Sequence, residues 1–140
     1  MSYKVLLPTT TITTAVTAVT TTAVEIGPNA VSVAIQYNFD YGSGGTNFTA
    51  YIQTSLDGGT TWIDIACFQS TTADQRRLYN LISGVGVTSI ATPTDGTLTA
   101  NTSVNGFLGD RLRVKYTSTG TYGGSTTIQI TASIKENPRD

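Results

Sequence analysis

From Val31 to Tyr41 the chain places Val31, Val33, Ile35, Tyr37, Phe39 and Tyr41 at every second position, with Ser32, Ala34, Gln36, Asn38 and Asp40 between them. Successive strand side chains point to opposite faces, so this period predicts a strand with one apolar face. Such a face must be buried against a second layer. The same period recurs at Leu112, Val114 and Tyr116, and again at Ile128, Ile130, Ala132 and Ile134. Turn sequences punctuate the rest: Gly27-Pro28-Asn29, Gly42 to Gly45, Asp57-Gly58-Gly59, Pro93 to Gly96, and the Gly/Ser/Thr-rich stretch 117 to 125. Short strands separated by turn signals every 8 to 12 residues or so, with no helical periodicity, predict an all-β antiparallel sandwich or jelly roll.

Further strands are predicted over 47–55, 61–68, 76–82 and, weakly, 98–104. The short glycine connection at 42–45 predicts that 31–41 and 47–55 form an antiparallel hairpin, extended by 61–68 into a three-strand meander. The predicted core is Val33, Ile35, Tyr37, Phe39, Ile52, Trp62, Ile65, Leu112, Val114, Ile128, Ile130 and Ile134.

Residues 9–22 are of low complexity and nine of the fourteen are Thr. Threonine favours extended backbone, but here both faces are only half apolar, which specifies register weakly. Residues 1–26 are therefore expected to be an extended arm or edge strand ahead of a sandwich domain at 27–140. The competing reading is a strand of the domain's own sheet. As an arm, the segment would offer Thr9, Thr11, Ile12, Val16 and Val19 to a neighbouring chain.

Charged residues make up 12% of the chain and the net charge is −1. That excludes a highly charged disordered chain and leaves electrostatic nucleic-acid binding little to work with. Arg111, Arg113 and Lys115 share one strand face and are expected to be solvated. No signal peptide and no apolar run near the ~18 residues of a membrane span is present, which predicts a soluble protein made in a cytoplasm, with no membrane partner. Cys67 is the lone cysteine and the chain has no histidine, so a buried, inert thiol is expected.

Asp57, Asp64, Asp74, Asp95 and Asp110 are the interior aspartates that could act as acid/base groups. Asp57 and Asp95 precede glycine in turns, where Asp is favoured for backbone reasons. No pair has a recognisable catalytic spacing, and neither metal-ligand spacing nor a phosphate-binding loop occurs. No catalytic residue, cofactor or metal is expected. Ser55-Leu-Asp57-Gly-Gly59-Thr-Thr61-Trp62 resembles the Asp-box of sialidase-type propellers and other β proteins, which is a hairpin staple. The resemblance implies Asp57 accepting backbone N–H bonds, with Trp62 packed beneath. Trp62 stacking on a sugar is the functional alternative. Tyr41, Tyr51 and Tyr122 lie at or near glycine-rich turns and are candidate interface residues.

Val31 to Ile134 resembles small virion proteins of tailed bacteriophages. The resemblance is carried by Tyr41-Gly-Ser-Gly-Gly-Thr46, Ala50 to Phe68, Thr92 to Leu98, Gly109-Asp-Arg-Leu-Arg-Val-Lys115 and Gly120 to Thr127. It implies a non-enzymatic capsid decoration or cement protein on the particle surface, made in the host bacterial cytoplasm. Its implied partner is the major capsid protein; assembly with copies of itself, a trimer at a lattice three-fold being the form expected, would multiply weak contacts into avidity. A neck, tail or head-fibre component is the runner-up, and a carbohydrate-binding module the third reading.

Overall fold

The computed structural model describes residues 2–136. Its strands are β1 (Ser2–Thr11), β2 (Val16–Thr20), β3 (Val24–Glu25), β4 (Ala30–Asp40), β5 (Ser43–Gly44), β6 (Asn47–Thr54), β7 (Ile63–Ser70), β8 (Gln75–Ile82), β9 (Arg111–Thr119), β10 (Tyr122–Gly123) and β11 (Thr127–Glu136). One sheet has the order β1-β11-β4-β8. The other has the order β2-β9-β6-β7, with β3 also on β9. All pairings between named strands are antiparallel. The predicted antiparallel β-sandwich is what forms. Taking β2 and β3 as one interrupted strand and setting aside the two-residue β5 and β10, the strands run 1-8-3-6 and 2-7-4-5, which is jelly-roll order.

This order overturns the predicted meander. β4 pairs with β11 and β8, whereas β6 pairs with β7 and β9 in the other sheet. Among the described residues only β6–β7 is a hairpin. The glycines after β4 carry the chain between sheets rather than back along one. There β5 pairs with β10, so the crossover from β4 to β6 runs beside the crossover from β9 to β11. A Cβ on Gly42 would collide with the Gly124 carbonyl, and one on Gly45 with the Tyr122 ring. Glycine at these positions reflects close backbone approach between two crossovers, a cause that local sequence does not distinguish from a tight hairpin.

The inward faces supply the core. Val33, Ile35, Tyr37 and Phe39 of β4 meet Phe48, Ala50 and Ile52 of β6, with Leu112 and Val114 of β9 and Ile128, Ile130 and Ile134 of β11 around them; all are buried. Tyr37 stacks on Phe68 at 4.9 Å, and its hydroxyl is 2.7 Å from Ser70 Oγ, which satisfies the one polar atom it buries. Trp62 departs from the prediction: it lies at the rim, half-buried, outside the core.

The Thr-rich segment is not detached from the body. β1 pairs along β11 from Ser2↔Ile134 to Thr11↔Thr127. A register shift between Val5 and Leu7 lets Leu6 and Leu7, neighbours in sequence, both be buried. Ile12 and Ile26 are buried too, and β2 and β3 line the edge of the other sheet. Residues 2–25 therefore form the outermost strands of both sheets, and no structural boundary falls at 26. The weak strand expected at 98–104 is absent. Those residues are irregular, joined to β7 by single contacts such as the Ala66–Ser103 bridge.

Candidate functional site

The connection from β8 to β9, residues 83–110, folds over the outer face of the second sheet. Its anchor is Asp64. In the β6–β7 ladder Ile52 faces Ala66 but Gln53 faces Asp64, so Ile65 is an extra residue in β7. The bulge keeps Ile65 in the core and turns Asp64 outward beside Gln53. The Asp64 carboxylate, buried against the loop, accepts the backbone N–H groups of Gly96 (2.7 Å), Thr97 (3.0 Å) and Leu98 (3.2 Å). It also accepts the Thr94 hydroxyl at 2.8 Å and Gln53 Nε2 at 2.8 Å. Successive backbone N–H groups curled around one anion stabilise both the charge and the turn.

Gln53 extends the network. Its Nε2 donates to Asp95 Oδ1 at 2.6 Å, and its Oε1 accepts from Arg113 Nε at 2.8 Å. Lys115 Nζ donates to Asp95 at 3.0 Å. The bonds from Gln53 first and Lys115 second hold the Asp95 carboxyl below its ordinary range. Arg113 lies over the Trp62 ring, 4.4 Å from its centroid, so one aromatic face is already covered by a cation. The alternating basic residues of β9, expected to be solvated, are thus half-buried, and Arg113 and Lys115 hold the loop.

The hairpin motif has the bonding its resemblance implied for Asp57. Asp57 Oδ1 accepts from the N–H groups of Thr60 (3.1 Å) and Thr61 (2.8 Å) and from Ser55 Oγ (2.8 Å), while Gly59 N–H donates to Ser55 Oγ at 2.8 Å. The Thr61 bonds, followed by the one from Ser55, draw the Asp57 pKa from 3.8 down to about 2. A group whose folded pKa is depressed stabilises fully above its unfolded pKa and loses that contribution as pH falls through the folded one. Asp57→Ala is therefore expected to lower Tm at pH 7, with the gap from wild type narrowing between about pH 4 and pH 2. Thermal melts across that range check it, and a pH-independent gap would contradict it.

The interface candidates are scattered. Thr9 and Thr11 are exposed on β1, and Val16 and Val19 are half-buried on β2. Ile12 and Tyr122 are buried and cannot contact a partner: Ile12 fills the core, and Tyr122 packs edge-on to Phe39 at 5.8 Å with its hydroxyl bonded to Thr71 O. Tyr41 is half-buried, its hydroxyl donating to Gly44 O at 2.9 Å, and Tyr51 is half-buried beside Cys67. Burial pushes the Cys67 thiol up to about 11, so it is held as the unreactive thiol. Of the other candidate aspartates, Asp74 accepts Tyr41 N–H at 2.7 Å and Asp110 pairs with Arg111 at 3.0 Å.

Sequence reasoning missed the apolar residues at one end of the sandwich. The strand register puts the β6–β7 hairpin, the end of β8 and the start of the loop at that end. Here Ile90 is 100% exposed, with Leu56, Val85 and Val87 also exposed. Beside them is a hollow of about 230 Å³ lined by Leu56, Ile63, Ala91, Pro93, Val104 and Phe107. The roots of this segment are fixed. Ile82 N–H donates to Asn105 Oδ1 at 2.8 Å, Ser83 bridges Gly106, and Asp64 clamps 94–98. The available signal was Gly84-Val-Gly-Val-Thr-Ser-Ile-Ala91, an uncharged stretch carrying Val85, Val87 and Ile90 among glycines that break strand structure. The chain matches no family model, no curated protein and no solved structure.

Proposed function

We propose that this protein is a non-enzymatic structural component of a tailed-phage virion, a decoration or cement protein that docks on the assembled head. The observation that carries the reading is the apolar end: a wholly exposed isoleucine with Leu56, Val85 and Val87 beside a hollow, on a segment with clamped roots. Exposed apolar surface of this kind marks contact with other macromolecules. The resemblance from Val31 to Ile134 supplies the partner, the major capsid protein, and the jelly-roll order agrees with it by analogy of fold alone. The polar groups support a structural role, because Asp57 and Asp64 are each engaged in fastening backbone.

A protein that binds the intact shell and not its separated subunits stabilises the shell by mass action, and repeated copies multiply weak contacts into avidity. The test mixes the full chain with heads that lack it, pellets the particles and images them. Wild type should decorate the head, and Ile90→Asp should bind at least about tenfold more weakly, as for loss of a central apolar anchor. Labelling of the neck, tail or fibres would move the protein to that part of the particle and refute the decoration role. Failure to bind any particle would refute the virion reading altogether.

A further inference from the structure

The two outer faces of the sandwich differ. The loop and its charged network cover the second sheet's face. The first sheet's face is open, and its middle carries no charge: Ala34, Gln36 and Asn38 on β4, Gln129, Thr131 and Ser133 on β11, and Leu78 and Asn80 on β8. Its charges stand towards the ends, Asp40 paired with Arg76 at one and Lys135 at the other. Large residues rise at its margins, Tyr3 (64% exposed) and Val5 on β1, and Leu78 (80% exposed) and Ile82 on β8. Between them the small floor residues leave a trough of about 390 Å³, bounded by Tyr3, Ala34, Gln36, Leu78, Thr131 and Ser133.

We propose that this face is a two-fold interface between copies of this chain, Leu78 of each copy seating in the trough of the other. Three observations select a second copy as the occupant. The face has both the knob and the hole, as a self-complementary contact requires. Its uncharged middle meets an identical uncharged middle without repulsion, whereas a charged partner would find no counter-charge there. Its area suits a weak, reversible pair: β1, β11, β4 and β8 overlap over about eight rows, and strand spacings of about 4.8 Å and 3.4 Å give roughly 500 Å² per copy. A pair thus covers up to about 1,000 Å², the range of transient interfaces and below the roughly 1,200 Å² at which stable ones begin. A face that pairs with itself gives a dimer, in place of the expected three-fold assembly. This inference does not depend on the virion reading, because it uses a different surface.

Sedimentation of the full chain at about 0.1 mM, enough to populate a dimer of micromolar Kd, tests the idea. Wild type should run at twice the 14.7 kDa chain mass. Leu78→Lys removes the knob and Thr131→Arg fills the hole. Each should run as a monomer, weakened at least about a hundredfold by the loss of two reciprocal leucine contacts. Circular dichroism should be unchanged for Leu78→Lys, whose side chain is exposed in the monomer, and its melting should match that of wild type diluted below the dimer Kd. Ile90→Asp, on the other surface, should remain a dimer. A monomeric or trimeric wild type, or a dimer that survives both face substitutions, would overturn the proposal. Failure of the wild-type dimer to bind heads would count against the function alone.

Discussion

A chain lacking residues 2–22 is expected to lose its fold. An attachment arm could be removed with the body left intact, but β1 is built into the first sheet and its Leu6 and Leu7, with Ile12 just after it, are buried. Burial of each such side chain is worth about 1.5–3 kcal/mol, so the three together contribute roughly 5–9 kcal/mol. A domain's total stability is about 5–15 kcal/mol. The truncation also strips β11 of its neighbour and β9 of β2, turning inner strands into open edges that invite aggregation. The shortened chain should therefore be insoluble or lack a cooperative urea transition, followed by circular dichroism. A soluble product unfolding at the full chain's urea midpoint would show that the segment is dispensable.

Asp64→Ala is expected to be the most damaging single change to the long loop. It removes one buried carboxylate and leaves three backbone N–H groups, the Thr94 hydroxyl and one Gln53 N–H without that acceptor. Orphaned buried donors cost about 1–3 kcal/mol each, and relaxation of the loop into water recovers part of this. A net loss of about 3–5 kcal/mol is the expected scale, comparable to breaking a buried charge pair. Asp64→Asn should rescue only in part: its amide oxygen can replace Oδ2 in accepting from Thr94, Gly96, Thr97 and Leu98, but its NH2 then faces the Gln53 Nε2 donor. The loop, once released, should become the first site of limited proteolysis, between residues 91 and 98. Wild-type resistance to cleavage in Asp64→Ala would show that the carboxylate is not the clamp.

The parts of this structure that were legible in the sequence are those governed by local periodicity. Val33 to Phe39, Leu112 to Val114 and Ile128 to Ile134 announce their buried faces because alternate residues share a face whatever the partner strand is. The all-β class follows from those runs. Pairing does not, because Gly42–Gly45 reads alike as a hairpin turn and as a crossover; the collision that requires glycine comes from Gly124 and Tyr122, some eighty residues away. Leu6 and Leu7 were hidden by a bulge that breaks period two. Asp64 was hidden for a related reason: its role depends on the extra residue Ile65 and on a loop thirty residues downstream. Trp62 read as core by its size, yet it packs under Arg113 at the rim. The apolar end escaped notice because exposure is a property of the assembled sandwich, and Ile90 in sequence resembles any other isoleucine.

The pairing of β1 with β11 also sets a timetable. Leu7 lies across from Ile130, and at about 5–20 residues per second a ribosome needs on the order of ten seconds to make what separates them. For that interval the first strand exists without its neighbour. A strand rich in valine and isoleucine would be at risk of joining another nascent chain. In the second half of β1, Thr9 to Thr11 keep the extended backbone with polar side chains, and Pro8 interrupts the ladder a stray strand would use. The composition of this half-strand thus suits a polypeptide whose closure waits for a partner made more than a hundred residues later.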